Sequence, residues 1–237
     1  MELVLSLMPG IDMLGMAFKG AGFSVVQGGD VIFGGDVRTE HYPPGRFDGV
    51  ISGPPCQAFS RLAHMVRHNG YEPKFGNLIP EFERVVGEAE PQWFVMENVP
   101  DAPRPVVPGY GVHSFLLNNR QLGETQNRVR RWSFGWRGER RVLLVDTQAL
   151  EPLEFAYCGG ESDTERKRTE LGRMPWNAKG VSAFRESAAA QGLPDDFDLP
   201  AFTVAAKCQA VRNGVPIQMG LAIARAVREA VQGHAGA

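Results

Sequence analysis

Cys56 is the residue in this sequence whose type and surroundings best suit covalent chemistry. It lies in Gly53-Pro54-Pro55-Cys56-Gln57, directly after a short apolar run at 47–52. Proline cannot continue a strand's hydrogen-bond ladder, so we expect a stiff loop that turns the thiol toward a crevice. Lone cysteines are usually small buried apolar residues, but this context favours a nucleophile. That role requires a cationic setting or a proton acceptor, because few thiols are ionised at neutral pH.

An acid and two arginines follow at the boundaries of later apolar segments. Glu97 ends the apolar run at 93–96, and a carboxyl group between strand end and loop has a raised pKa and can protonate a heterocycle. Consecutive parallel strands are often neighbours, so we expect Cys56 and Glu97 to open into one crevice. Arg128 and Arg130 alternate within Gln126-Asn127-Arg128-Val129-Arg130. As strand residues they would point the same way and act together on an anionic or carbonyl-bearing substrate.

The N-terminal region contains candidate ligands for a cofactor. Pro9-Gly10 follows the first apolar run and would let the backbone approach a ligand. Asp12 stands where a dinucleotide-binding loop needs glycine, so a cofactor with an amine or a positive centre suits this loop better than a pyrophosphate. Asp30 and Asp36 could accept hydrogen bonds from ribose hydroxyls and an adenine amino group. Ordinary turn chemistry is the alternative for either residue taken singly.

Hydrophobic periodicity predicts the elements that must position these residues. The strands are expected at 3–8, 23–27, 47–52, 93–96, 111–117 and 130–135, and the helices at 13–21, 80–90 and 217–231. Strands that alternate with helices over the first 135 residues predict an α/β fold, with a mostly parallel sheet and helices on both faces. In such sheets ligands bind outside the carboxyl ends of the strands.

Composition limits the class of protein. The chain has 237 residues, of which 43% are hydrophobic and 22% are charged, and these are values of a globular protein. It has no long apolar run and no leader-like start, so we expect no membrane association and a cytoplasmic location. Its three cysteines lie far apart at 56, 158 and 208 without a C-x-x-C pair. Neither a disulfide framework nor a metal site is therefore predicted.

Charge is unevenly distributed although the net charge is only -2. The segment 121–141 carries six arginines but only two glutamates, Glu124 and Glu139. Such a local excess could meet phosphate oxygens, and Arg137, Arg140 and Arg141 are its C-terminal members. The alternative is a solvated strand face.

Three motifs, taken in order, resemble the signature motifs of DNA (cytosine-5-) methyltransferases, which use S-adenosylmethionine. They are Pro54-Pro55-Cys56-Gln57, Glu97-Asn98-Val99 and Gln126-Asn127-Arg128-Val129-Arg130. The likeness continues in Leu7-Met8-Pro9-Gly10-Ile11, similar to the family's cofactor loop, in Arg185-Glu186 and Gln191-Gly192-Leu193-Pro194, and in Arg212-Asn213-Gly214-Val215-Pro216. It spans nearly the whole chain, and the compact layout resembles bacteriophage or prophage members.

The resemblance implies a Rossmann-like methyltransferase fold and a role for each catalytic residue. The Cys56 thiolate would add to carbon 6 of a cytosine flipped out of double-stranded DNA. Glu97 would hold or protonate ring nitrogen 3, and Arg130 would hold the cytosine carbonyl with Arg128 nearby. Carbon 5 would then take the methyl group, and loss of its proton would release Cys56.

The resemblance also implies the binding residues. The S-adenosylmethionine pocket would be lined by Met8, Gly10, Ile11, Asp12, Asp30, Asp36, Val37, Asn213, Gly214 and Val215. Base flipping carries an unstacking cost of a few kcal/mol, which an inserted loop after Cys56 helps to supply. DNA contacts are expected from Gln57, Ser60 and Arg61 in that loop, and from Gln126, Arg137, Arg140 and Arg141. A monomer is expected.

The sequence departs from the family pattern at the cofactor loop and in length. Ser6 stands where most relatives have Asp, Asp12 and Met13 replace glycines, and Arg212 occupies a usual glycine position. We expect a catalytic and cofactor-binding domain at 1–135, a small target-recognition module at 136–180, and a C-terminal segment at 181–237 that packs back on the first domain. The short module predicts a short or relaxed target site.

Two alternative functions stay open at this point. The same chemistry could act on RNA or a free nucleotide, because the recognition module is short. A degenerate fold could instead bind DNA or a partner without catalysis, because the cofactor loop is altered. A role in restriction–modification and a role as an orphan phage enzyme are equally compatible with the sequence.

Overall fold

A computed structural model describes residues 2–59, 70, 76–124, 126–150 and 180–233. Six strands form one sheet: β1 (Leu3–Leu7), β2 (Ser24–Gln27), β3 (Gly49–Ser52), β4 (Trp93–Asn98), β5 (Tyr110–Asn118) and β6 (Val129–Arg137). The α-helices of the described residues are α1 (Met13–Gly20), α2 (Ile79–Ala89), α3 (Val181–Ala190), α4 (Val204–Asn213) and α5 (Ile217–Gln232). Short 3-10 helices cover Val31–Phe33, Cys56–Ala58 and Asn119–Leu122.

The strand order in the sheet is β2-β1-β3-β4-β6-β5. β1 pairs in parallel with β2 and with β3, and β3 pairs in parallel with β4. β6 lies antiparallel between β4 and β5, so five strands share one direction and β6 runs against them. The expected α/β architecture with a mostly parallel sheet is confirmed, and the sheet reverses its order between β1 and β3.

Alternate residues of the central strands supply apolar side chains to both faces of the sheet. On one face, Trp93 and Val95 join the core formed with α1 and α5. Helix α5 approaches α1 closely, since a Cβ atom at Gly220 would lie 2.6 Å from the Ala17 Cβ. On the other face, Phe94 and Met96 pack against α2. Burial on both faces explains why these strands are continuously apolar and lack an alternating pattern.

Helices α3 and α4 are not among the elements that the periodicity predicts. They pack together, and residues such as Phe184, Cys208 and Val211 form a third apolar cluster with Met13 at the start of α1. Helix α4 begins after Thr203, whose Oγ1 accepts a hydrogen bond from the Ala206 backbone N–H at 3.3 Å. That N-cap is the local signal in the sequence that marks the start of α4.

The expected recognition module lies partly outside the described residues, which stop at 150 and resume at 180. The expected boundary at 135 falls inside β6, which continues to Arg137. Beyond it the chain returns along β5 and donates backbone hydrogen bonds from Gly138 to the Gly109 carbonyl at 2.8 Å and from Gln148 to the Gln121 carbonyl at 2.7 Å. The described part of this segment is therefore tied to the six-stranded sheet, and the division into three segments stays a prediction.

None of the helices in the described part of the chain combines the length and apolar character that crossing a bilayer demands.

Close packing in the centre of the sheet predicts that Gly135 cannot be enlarged. A Cβ atom there would lie 2.1 Å from Cε1 of Phe94, whose ring also packs edge-on against Phe82. We expect Gly135→Ala to lower the free energy of unfolding by about 1–3 kcal/mol, the range typical of core overpacking, as measured by urea denaturation.

Gly87→Ala is the matched control. Gly87 lies in α2 with open space where a Cβ would be, so alanine should stabilise the helix by up to about 1 kcal/mol. Equal effects of the two substitutions would contradict this account of the core.

Candidate active site

A cavity of about 1190 Å³ lies at the carboxyl ends of β1, β3 and β4. Its position matches the reversal of strand order between β1 and β3, where parallel sheets leave a crevice. Different parts of the chain form its walls: the loop after β1, residues 29–32 and 36–38 after β2, residues 53–57 after β3, Glu97 and Arg130, and 204–205 with 208–210 and 212–215 around α4. The structure therefore brings most of the predicted site residues around one space.

Cys56 lies on the wall contributed by the loop after β3. It begins the short helix Cys56–Ala58 and is partly exposed. The loop is fastened to the end of β4, because the buried Asn98 side chain donates from Nδ2 to the Pro54 carbonyl at 3.1 Å. The same side chain accepts a hydrogen bond from the Val99 N–H at 2.8 Å. Asn98 therefore holds the cysteine loop, a role that the motif alone does not indicate.

Glu97 and Arg130 form an ion pair inside the cavity wall. The Arg130 Nε lies 2.8 Å from Oε1 of Glu97, and Glu97 is only 8% exposed. Gly53 faces this pair, since a Cβ at that position would lie 3.2 Å from Oε2 of Glu97. The small residue before Pro54 thus leaves room for the carboxylate beside the cysteine loop. The expected association of Cys56, Glu97 and Arg130 at one end of the crevice is what the geometry shows.

Burial and neighbouring charges set the protonation of Cys56 and Glu97. Burial raises the pKa of the Cys56 thiol and the Glu97 charge raises it further, while Arg130 and Arg128 lower it. Burial also raises the pKa of Glu97, against the opposing effect of the same two arginines. The arginines favour one negative charge in this cluster, and the thiol and the carboxyl group compete for it. A protonated Glu97 would therefore favour a Cys56 thiolate.

Arg128 has different partners from Arg130 and is not among the residues that line the cavity. Its guanidinium donates to the carbonyl of Arg212 at 3.1 Å and to that of Gly214 at 2.8 Å. β6 begins only at Val129, so strand alternation does not govern Arg128, and the joint action of the two arginines on a substrate stays a prediction. Burial and the charge of Arg130 lower the pKa of Arg128 to about 9, which leaves it charged at neutral pH.

The loop after β1 has a strained backbone on the opposite wall. Met8, Gly10 and Asp12 all adopt left-handed conformations, with φ of 51°, 56° and 59°. Such conformations are rare for residues other than glycine and cluster at functional sites. The Gly10 N–H donates to Oδ2 of Asp30 at 2.8 Å. Met8, Gly10, Ile11 and Asp30 all line the cavity, as expected for a cofactor wall.

Asp12 is placed differently from the expectation. It does not line the cavity and is 1% exposed. Its carboxylate accepts hydrogen bonds from the Ser6 hydroxyl at 2.7 Å, the Gln27 amide at 2.9 Å and the Gly15 N–H at 3.2 Å. These bonds cap α1 and fix the loop after β1 from the side away from the cavity. Asp12 therefore supports the wall and is not among the residues that line the cavity.

The remaining predicted cofactor residues line the cavity. Asp36 forms a bidentate pair with Arg38 through bonds of 2.9 Å and 2.6 Å, which lower its pKa to about 2. Val37 is buried beside it. Asn213, Gly214 and Val215 form the wall after α4. A Cβ at Gly214 would lie 2.2 Å from the Met13 sulfur, so only glycine allows this close approach to α1.

The predicted DNA-contact residues are divided between two edges of the sheet. Gln57 lines the cavity. Gln126 precedes β6 with a buried side-chain oxygen, whereas Ser60 and Arg61 lie outside the described residues. Arg137, Arg140 and Arg141 lie at the far end of β6, where Trp136 pairs with Trp93 at the start of β4.

The register of β4 and β6 separates those three arginines from Cys56. Asn98 at the carboxyl end of β4 pairs with Arg131, five residues before Trp136, which is roughly 17 Å along a strand. Arg137 contacts Glu90, and the Arg141 guanidinium lies 3.9 Å from the centre of the Trp136 ring. The antiparallel direction of β6 thus carries them to the opposite edge, away from Cys56, and their contact with DNA stays a prediction.

Comparisons with known proteins agree with this geometry. Residues 33–104 match the family model described as C-5 cytosine-specific DNA methylase. The chain is 26% identical over 207 residues to the type II methyltransferase M.FnuDI of Fusobacterium nucleatum, covering 74% of this chain and 55% of that protein. It is 25% identical over 213 residues to M.NgoPII of Neisseria gonorrhoeae, covering 76% of this chain and 58% of that protein. It thus spans somewhat more than half the length of these relatives.

A solved structure shows the same fold. A protein described as a DNA modification methyltransferase encoded within an E. coli prophage superimposes with a TM-score of 0.64 at 15% identity, covering 98% of this chain and 100% of that one. The Rossmann-like fold of S-adenosylmethionine-dependent methyltransferases is therefore confirmed for the described sheet and helices.

Competition for negative charge predicts that Glu97→Gln lowers the pKa of Cys56. The substitution removes the charge that opposes thiolate formation and leaves Arg130 without its carboxylate partner. Alkylation of Cys56 by iodoacetamide, followed by peptide mass spectrometry over a series of pH values, should show a midpoint at lower pH than in the wild type.

Glu90→Gln is the control, because Glu90 pairs with Arg137 at the other edge of the sheet and should leave the midpoint unchanged. A midpoint in Glu97→Gln that is unchanged or moves to higher pH would refute the charge competition.

Proposed function

We propose that this chain transfers a methyl group to carbon 5 of cytosine in DNA, which its similarity to the C-5 cytosine-specific DNA methylase model over residues 33–104 and to type II methyltransferases supports. The observation that carries the proposal is the convergence of Cys56, Glu97 and Arg130 at one end of a cavity whose other walls suit a nucleoside cofactor. Neither the three residues nor the cofactor walls alone would support this reaction. Together they bring a nucleophile, an acid and a cation to one face of a bound base.

The residues of the opposite walls fit S-adenosylmethionine, which when bound would supply the methyl group. Asp30 and Asp36 line the cavity with carboxylate oxygens suited to ribose hydroxyls or amino groups. Val31 and Ile32 line it beside them and are 51% and 45% exposed, so they offer apolar surface to a flat ring. The strained loop after β1 brings backbone close to the same space. The acidic and apolar character of these walls matches a cationic nucleoside better than a phosphate-bearing one.

Cys56 would act as the nucleophile toward the pyrimidine. Its sulfur would form a bond to carbon 6 while the proton of Glu97 passes to ring nitrogen 3, so the base gains no net negative charge. The thiol proton would first pass to the Glu97 carboxylate, and Arg130 and Arg128 then favour the Cys56 thiolate. Burial raises the pKa of Glu97, which favours its role as a proton donor.

Arg130 would orient both Glu97 and the base. Its Nε holds Oε1 of Glu97, and Nη1 donates to the Val129 carbonyl at 2.8 Å, which leaves Nη2 as the donor for the cytosine carbonyl. After carbon 5 takes the methyl group, its proton would pass to solvent, the bond between carbon 6 and sulfur would break to regenerate the Cys56 thiolate, and the nitrogen-3 proton would return to Glu97.

A base inside this cavity must leave its stack, so a duplex substrate would require flipping at a cost of a few kcal/mol. The loop that begins with Gln57 is the candidate to occupy the gap. DNA is favoured over RNA and free nucleotides by the family match, and RNA or a free nucleotide is the second candidate. A non-catalytic fold is disfavoured because Cys56, Glu97 and Arg130 are all present and lie at one end of the cavity.

The covalent step predicts trapping by a mechanism-based substrate. Duplex DNA containing 5-fluorocytosine should form a stable adduct with the wild-type protein in the presence of S-adenosylmethionine, since fluorine at carbon 5 cannot leave as a proton. Cys56→Ser should form none, and gel electrophoresis under denaturing conditions measures both.

Parallel reactions with DNA, RNA and dCMP as methyl acceptors distinguish the substrate classes. Adduct formation should require both the fluorinated base and S-adenosylmethionine. If varied duplex sequences give no adduct while the protein still binds S-adenosylmethionine by calorimetry, DNA is not the substrate. If it binds none, the non-catalytic alternative stands.

A further inference from the structure

The guanidinium of Arg128 donates its hydrogen bonds to backbone carbonyls of the same chain. Arg128 precedes β6 and donates from Nη1 to the Arg212 carbonyl at 3.1 Å and from Nη2 to the Gly214 carbonyl at 2.8 Å. The two acceptors flank the end of α4, which terminates at Asn213. The last carbonyls of a helix lack intrahelical partners, and a cation there also meets the negative end of the helix dipole. Arg128 thus closes the C-terminus of α4.

The turn that Arg128 holds is part of the cavity wall. Arg212, Asn213, Gly214 and Val215 all line the cavity. On its other side the turn is pressed against α1, because a Cβ at Gly214 would lie 2.2 Å from the Met13 sulfur. The turn is therefore held between Arg128 and Met13, and its position depends on both contacts.

The guanidinium also lies within electrostatic reach of the catalytic cluster. The charge of Arg128 lowers the pKa of Cys56 and of Glu97, and the charge of Glu97 in turn raises the pKa of Arg128. One side chain thus links the wall proposed for the cofactor with the end proposed for the base. Its two hydrogen bonds, however, go to backbone carbonyls of residues that line the cofactor wall.

We propose that Arg128 is a positioning residue that holds the wall at 212–215 in the shape that binds the cofactor, and that it does not contact the target base. This inference rests on the proposed function, because it assumes that the cavity binds S-adenosylmethionine. It predicts that loss of Arg128 weakens cofactor binding even when no nucleic acid is present. A substrate contact would have the opposite signature, with unchanged cofactor binding and a defect only in the reaction with DNA.

The test compares Arg128→Met, Arg128→Lys and a matched control, Arg131→Met. Arg131 is not among the residues that line the cavity. It donates to the Pro100 carbonyl from Nε at 3.0 Å and from Nη2 at 2.6 Å. Each methionine variant therefore loses two hydrogen bonds from an arginine to backbone carbonyl oxygen. Of the two arginines, only Arg128 has its acceptors in the wall at 212–215.

Calorimetric titration with S-adenosylhomocysteine, without DNA, is the first measurement. We expect Arg128→Met to raise Kd about ten-fold, equivalent to about 1.4 kcal/mol. Arg128→Lys should recover part of the affinity, since its ammonium can reach one carbonyl. Arg131→Met should keep the wild-type Kd while lowering thermal stability to a similar extent.

Backbone hydrogen exchange is the second measurement and needs no ligand. Peptides that cover 204–217 should exchange faster in Arg128→Met than in the wild type or in Arg131→Met. Unchanged Kd and unchanged exchange in Arg128→Met, with loss of the 5-fluorocytosine adduct alone, would overturn the inference in favour of a substrate contact. A wild type that binds no S-adenosylhomocysteine would instead overturn the proposed function together with this role, and the exchange difference would still report the two hydrogen bonds.

Discussion

The buried ion pair between Glu97 and Arg130 determines the geometry of the candidate active site. A carboxylate that is 8% exposed would be costly without a cationic partner, and Arg130 supplies one at 2.8 Å. The pair forms only because β6 runs antiparallel to β4. In this direction the start of β6 lies beside the carboxyl end of β4, where the crevice is. A parallel β6 would have placed Arg130 at the other edge of the sheet and left Glu97 unpaired.

Two loops complete the site, and both are held by buried polar side chains. Asn98 fastens the cysteine loop through the Pro54 carbonyl. Asp12 supports the loop after β1 through Ser6, Gln27 and Gly15. In each case a side chain satisfies backbone or side-chain groups that would otherwise be unpaired inside the protein. The loops can therefore adopt unusual conformations, including three left-handed residues after β1, and still present a defined surface to the cavity.

The arginines of the segment 121–141 show how one local charge excess serves several purposes. Arg130 pairs with Glu97, Arg128 bonds the carbonyls at the end of α4, and Arg131 holds the carbonyl of Pro100. Arg137 and Arg141 lie at the opposite edge beside Glu90 and Trp136. Part of the positive charge in this segment is thus used inside the fold, at Arg128, Arg130 and Arg131, while Arg137 and Arg140 are exposed at the opposite edge.

The sequence by itself was sufficient to predict the α/β class, most of the strands, and the positions of Cys56 and Glu97 at strand ends, because apolar runs and proline stops are local signals. It also identified most of the cavity wall, through motifs that follow one another in order along the chain. Tertiary structure alone decided the partners of Arg128, the burial of Asp12 and the distance of Arg137, Arg140 and Arg141 from Cys56. Each of these depends on the direction and register of β6 or on the packing of α1 and α4, and such contacts join residues that are separated in the chain.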